Sequence, residues 1–336
     1  MRTALQRTFL TDFLRRLGFV GLTALTLMIY SEHLFWARPG AWVTIRELAP
    51  TFLAYAITTY VFLAAIAWFR VRSLPALFLA ATIYGWFLEG VVVQTMYDDF
   101  PLNLSFTGLA WHALISVLLG WVVVPACLSG GPIRRTVAVA AGIGAGYGLW
   151  SLWWWTIEPP AAPPPAFAAY SLGLTFALMI SYGLAPRLGL KAFRPSRLEI
   201  GGLLALAAAW YAIVTLPTQP ISMIVLPPLV ALVLMGLAAN RRGERRPDQI
   251  QTMLARRPPG ARDLIALLAL PATAAGVYVL ATRMKIEPPT GVVLYLITVP
   301  LGFSALAGAL VKTLRRAAPG QVVDAAGPAV PPAPAV

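Results

Sequence analysis

Ten stretches of this chain run apolar for about twenty residues at a time, with almost no charge inside them, and that pattern leaves few folds open. A helix needs about 20 mostly apolar residues to cross roughly 30 Å of hydrocarbon. The runs lie near 17–36, 49–69, 74–97, 105–127, 136–156, 166–186, 200–216, 220–239, 263–282 and 290–311. They are continuous rather than alternating, and lipid requires backbone polar groups to be satisfied within the segment, so helices are predicted and not strands. Composition agrees: 59% of the 336 residues are hydrophobic and 12% charged, against about 25% charged in a typical soluble domain. So little charge cannot coat a soluble particle. A water-soluble enzyme, a disordered regulator and a disulfide-stapled domain are excluded. The predicted fold class is all-α, a polytopic transmembrane bundle of about ten spans. Pro217 and Pro220 barely separate the seventh span from the eighth, and Pro227-Pro228 inside the eighth predicts a kink.

The loops predict an orientation. With the N-terminus in the cytoplasm, only Arg38, Arg46, Arg283 and Lys285 of the 26 basic residues fall outside. This is the positive-inside asymmetry, and it places both termini in the cytoplasm and the protein in the inner membrane as a multi-pass chain. The net charge of +13 then belongs to short inner loops facing anionic lipid heads. Membrane lipids are the expected partners. Nucleic acid is not, since no basic domain with interleaved aromatics stands outside the spans. Nothing indicates an oligomeric state. The lone Cys127 excludes an intrachain disulfide. No A-x-A-like site follows the first run, which reads as an uncleaved anchor.

Segment by segment, 1–16 is a basic amphipathic stretch with Leu5, Phe9 and Phe13 four apart, lying on the inner surface or extending the first helix. Residues 17–316 form one transmembrane domain, with a candidate polar site within 17–127. The basic loop 240–262 carries Ile250, Met253 and Leu254 on one helical face, predicting a short interfacial helix. Residues 317–336 are rich in Ala, Pro and Gly without periodicity and read as a disordered tail. Ile157-Glu-Pro-Pro160 recurs at Ile286–Pro289; a duplicated unit would need matched hydropathy as well, so turn chemistry is the better account. Gly142, Gly144, Gly146 and Gly148 make two interleaved G-x-x-x-G patterns, expected to serve packing inside the bundle. Trp36, Trp42 and Trp153 to Trp155 suit an outer aromatic belt.

Ionisable residues within spans are few. Glu89 in the third and His112 in the fourth stand out, because a charged group at mid-membrane costs roughly 2.5–3.5 kcal/mol unless something offsets it. Their depths match: Tyr97 is about 12 Å beyond Glu89, and Ser105 roughly 10 Å before His112, at 1.5 Å per residue. Thr82, Gly85, Glu89 and Met96 share one helical face, and Ser105, Gly108, His112 and Ser116 share another. The short loop Asp98–Leu104 makes the two helices antiparallel neighbours, so the carboxyl and the imidazole are expected to meet as an acid–base pair in a cavity open to the outer face. Glu32, His33, Gln94, Tyr97, Asp98 and Asp99 are expected around its mouth, with Ser105 and Ser116 along the seam. A bland alternative is an interhelical hydrogen bond that only locks the helices.

Two histidines and several carboxylates supply zinc-type ligands but no paired ligand spacing, so no metal is expected. No Walker motif, dinucleotide fingerprint or G-x-S-x-G elbow is present, and no cofactor is expected. The leading expectation is a membrane-embedded enzyme that uses Glu89 and His112 on a lipid or isoprenoid-like substrate. The alternative is a ten-span transporter using the same pair as a proton or substrate site; ten helices suit two inverted five-helix halves, as in drug/metabolite transporters. A non-catalytic membrane assembly protein is the third reading. A five-plus-five two-fold would favour transport, and a groove open laterally to lipid would favour an enzyme.

Overall fold

The structure is a computed structural model that describes residues 2–35, 45–153, 161–241, 247–285 and 289–316. Among these residues every regular element is helical, and nine helices are long and apolar enough to cross a membrane. They are α1 (Leu10–His33), α2 (Leu48–Trp68), α3 (Leu74–Val92), α4 (Leu104–Gly130), α6 (Pro164–Leu188), α7 (Arg197–Thr218), α8 (Ser222–Asn240), α9 (Ala261–Met284) and α10 (Thr290–Arg315). The fifth expected span is a helix too, α5 (Ile133–Trp150). It is less apolar than the others because Arg134, Arg135 and four glycines fall within it. The helix of α1 begins at Arg2, so the basic N-terminal stretch extends the first span. Trp36, Trp42, Trp154, Trp155, both Ile-Glu-Pro-Pro turns but for Pro289, and the tail lie outside the described residues.

Local chemistry sets the ends that matter. Ser73 accepts from the Ala76 amide to start α3, with Pro75 behind it. Ser196 and Glu199 cap α7 reciprocally. Arg70, at φ +48°, makes the tight joint between α2 and α3. The predicted loop helix is Gln249–Leu254, capped by Asp248. It docks on that joint through Gln249, whose amide reaches the Val71 carbonyl at 2.9 Å and whose side chain reaches that of Arg72 at 2.7 Å. Ile250 is buried in the core, so this helix packs against protein.

α3 is the centre of the bundle, between α2, α4, α8 and α10. Gly85 lets it touch α4 backbone to backbone: a Cβ there would sit 2.1 Å from the Gly108 carbonyl oxygen. α5 lies on α9 in the same way, since a Cβ on Gly144 would sit 2.1 Å from the Leu270 oxygen. Gly148 faces Ala274, whereas Gly142 and Gly146 face open space. Only one of the two interleaved glycine patterns therefore packs inside the bundle.

Helix pairing repeats at an interval of five. α1 packs on α6, α2 on α7, α3 on α8, α4 on α9 and α5 on α10. Two crossed pairs match as well: α5 on α9 mirrors α10 on α4, and α1 on α4 mirrors α6 on α9; the close α1–α2, α2–α3 and α3–α4 neighbours have no comparable counterpart among α6 to α9.

Candidate functional site: a carboxylate–imidazole–hydroxyl chain

Three helices supply the centre, and each is wound wide where it does so. α1 ends in i→i+5 turns over Ile29–His33, α3 over Leu88–Val92, and α4 is wound this way over Leu104–Val123. The Leu34 amide reaches the Ile29 carbonyl and the Val93 amide the Leu88 carbonyl, each at 2.8 Å. Such turns are uncommon and concentrate at functional sites. They redirect side chains and free backbone carbonyls for other donors. Trp111 Nε1 takes the Ser31 carbonyl at 2.9 Å, and Thr215 Oγ1 and Trp210 Nε1 take that of Val91 at 2.7 and 3.2 Å.

Ser31, Glu89 and His112 fall on these three wide turns, and they meet. Glu89 Oε1 lies 2.6 Å from His112 Nε2, and His112 Nδ1 lies 3.0 Å from Ser31 Oγ. Ser31 Oγ continues to Ser116 Oγ at 2.7 Å, and the Tyr84 hydroxyl stands 3.5 Å away. Thr95 donates to Glu89 Oε2. All but Thr95 are buried; Glu89 is 7% exposed and His112 2%.

Two donor arrangements satisfy these contacts. The Ser116 hydroxyl also reaches the Trp111 carbonyl at 3.1 Å. With its proton on that carbonyl, Ser116 accepts from Ser31, and Ser31 accepts from His112 Nδ1–H; with its proton on Ser31, Ser31 donates to Nδ1. In both arrangements one proton is held between Nε2 and Oε1. Pairing the carboxyl with the imidazole lowers the cost of holding both groups away from water.

The remaining predicted residues spread around this core. Ser116 joins the chain. Glu32 accepts from the buried Tyr55 hydroxyl at 3.3 Å, and both Glu32 and Glu89 lie within electrostatic reach of Tyr55 and Tyr84. His33 turns away to Tyr170 on α6, 3.1 Å from its hydroxyl. Ser105 also leaves the seam, donating to the Val299 carbonyl on α10 at 2.6 Å. α3 stops at Val92, short of Tyr97, because the chain reverses at Gln94, whose φ is +74°. That reversal brings Thr95 back over Glu89. Gln94 accepts from Thr218 at 2.6 Å, and the Tyr97 hydroxyl donates to the Gly90 carbonyl at 2.9 Å. Burial pushes the Tyr97 hydroxyl above its ordinary pKa. Asp98 and Asp99 are exposed, and Asp99 accepts from Tyr295.

Sequence reading missed Ser31, Tyr84, Tyr55 and Thr95. Ser31 adjoins the two residues named on α1, and a scan for hydroxyls beside them would have found it. Among the described residues no three His, Cys, Asp or Glu side chains gather as a metal site. A second polar cluster joins Arg16 on α1 to Glu199 on α7 at 2.8 Å, with Tyr60 donating to the same carboxylate. In comparisons with known proteins, no family model, curated protein or solved structure matches the chain.

Proposed function

We propose that this multi-pass membrane protein is an enzyme that acts on a lipid or isoprenoid-like substrate, with Glu89 and His112 as its acid–base pair. The observation that carries this is the 2.6 Å contact of Oε1 with Nε2, buried between α3 and α4 and continued by the Ser31 and Ser116 hydroxyls. A carboxyl hydrogen-bonded to an imidazole can give up or take back a proton locally, and a positioned acid–base group contributes about 10²–10⁴-fold to a reaction. Ser31 and Thr95 orient the two partners. The chain lies in the cytoplasmic membrane with both termini inside, on the asymmetry of its basic loops.

The test compares lipid extracts, by mass spectrometry, from cells carrying the wild-type chain, no chain, Glu89→Gln or His112→Ala. The same lipid species should accumulate in the null strain and in both variants, with the variants present in the membrane at wild-type abundance. If both variants restore the wild-type lipid profile, the acid–base assignment fails.

One observation favours the transporter reading. The pairing of each helix with the one five along suits two halves related by a two-fold, the architecture in which substrates bind at the repeat interface, although the α1–α2, α2–α3 and α3–α4 contacts are not repeated in the second half. Against it, the second half offers no intramembrane partner to match Glu89 and His112. Proton uptake by vesicles holding the purified chain, abolished by Glu89→Gln and accompanied by no change in lipid composition, would select transport over catalysis.

A further inference from the structure

α2, α3, α7 and α8 enclose a groove of about 560 Å³ whose walls are almost wholly apolar, Phe87, Leu203 and Leu226 among them. At its Trp68 end it adjoins a second cavity of about 450 Å³, and Ala64, Trp68 and Ile200 line both. The second cavity has a different chemistry. Arg70, Arg72 and Arg194 face it, against the single carboxylate of Asp248. An excess of cationic charge therefore stands at one end of a hydrocarbon slot.

The dimensions fit one occupant. On α7 the slot runs from Ile200 to Ala207 and on α8 from Leu226 to Leu234, or roughly 10–12 Å at 1.5 Å per residue. One leaflet contributes about 15 Å of hydrocarbon. The arginines lie beyond the helix ends, at the Arg70 joint and the α6–α7 connection, where a headgroup would be. The outer wall is thin, because only 6% of the apolar stretch of α7 is buried. Leu204 and Leu234, which line the slot, are also exposed on the outside of the bundle.

We propose that this composite cavity binds an anionic phospholipid from the surrounding bilayer, with its phosphate among Arg70, Arg72 and Arg194 and one acyl chain between α3 and α7. An acyl chain gains little by leaving lipid for protein, since lipid tails are as apolar as leucine. Shape therefore admits the chain, and the arginines choose the headgroup. The site is separate from Glu89 and His112 and stands whether or not their assignment holds.

The purified full-length chain in detergent, titrated with phosphatidylglycerol or phosphatidylcholine and read by native mass spectrometry, tests this. The wild type should retain phosphatidylglycerol about thirtyfold better, the scale set by a net two cationic contacts, three arginines less Asp248. Arg70→Ala with Arg194→Ala should remove the preference while phosphatidylcholine still binds. Arg70→Lys with Arg194→Lys should keep it, which guards against a fold defect in the alanine pair. Ala207→Trp, which fills the slot, should weaken both lipids equally. Equal retention of the two lipids by the wild type would overturn the proposal, as would a preference that survives the alanine pair. Full retention in Ala207→Trp would remove the acyl chain from the slot. Displacement of phosphatidylglycerol by millimolar glycerol phosphate would reassign the arginines to a soluble phosphate.

Discussion

The two halves of this bundle pack on one another helix by helix and differ in what they bury. In α3, 78% of the apolar stretch is inside the protein; in α8, which lies five helices later, 28% is, and in α7 beside it only 6%. The first half holds Ser31, Glu89, His112 and Ser116, and every one of them is buried and hydrogen-bonded. The second half faces lipid, walls the groove and lends α10 as a backing for α4. A polar chain at membrane depth needs fixed partners on every side, because a missed hydrogen bond there has no water to replace it. Close packing around α3 is thus a condition of the site. α7 carries no such group in its middle and can stay loosely held.

The largest effect expected from this contrast is at Gly85. A side chain there would strike the Gly108 backbone at 2.1 Å, and neither backbone can yield without separating α3 from α4. Overpacking ordinarily costs about 1–3 kcal/mol, and Gly85→Leu should exceed that, giving no monodisperse protein on size-exclusion chromatography. Gly142→Leu faces open space on α5 and should stay within about 0.5 kcal/mol of the wild type in thermal unfolding. If the two variants unfold alike, the central role given to the α3–α4 seam is wrong.

Next in size are the site variants. Glu89→Gln and His112→Ala should each lower turnover of the lipid identified by the extract comparison about 100-fold or more. His33→Ala should leave it within about threefold, since His33 is half-buried against Tyr170 and does not touch the centre. Equal losses at His33 and His112 would dissolve the distinction between the two histidines.

How far the sequence foretold this arrangement depends on what winding a residue sits in. Glu89 and His112 were legible because one short loop fixes their relative depth and α-helical spacing puts Gly85 and Gly108 between them. The spans were legible from hydropathy alone. Ser105 was misplaced because i→i+5 winding turns each residue through less than 100°, so a residue seven positions from His112 drifts off its face and finds Val299. Thr95 was illegible for another reason. Its approach to Glu89 depends on a left-handed glutamine, and only glycine announces that conformation in advance. The fifth span was read over 136–156, after Arg134 and Arg135; the helix starts at Ile133 and takes both arginines in, and with its four glycines it alone of α1 to α10 falls short of a span's apolarity.

A smaller effect probes one of the places where the loose half touches the tight one. Thr215 on α7 donates to the Val91 carbonyl, freed by the wide turn beside Glu89. Thr215→Val removes that bond with little change of shape and should cost about 1 kcal/mol. Leu204→Ala, on the lipid side of the same helix, should cost less than half of that. A larger loss at Leu204 would mean that α7 is held by its outer face, and the asymmetry between the halves would need another account.

The smallest expected effect is a slope with pH, outside the spans. Burial pushes the Asp248 carboxyl above its ordinary value, despite the Gln251 and Ile250 amides and the Arg72 guanidinium beside it. A carboxyl whose pKa is raised on folding binds its proton more readily in the folded chain than in the unfolded one. Stability then falls as pH rises from the ordinary aspartate value to the raised one, and is level above it. Asp248→Asn keeps an acceptor for the Gln251 amide, so the helix cap survives, but it carries no charge to desolvate. The wild-type Tm minus the variant Tm should therefore fall as pH rises through the carboxylate range and then become flat toward neutrality. A difference that rises with pH would mean that Arg72 outweighs burial. In that case the cationic cavity would already be neutralised from within, and its call for an anionic headgroup would be weaker.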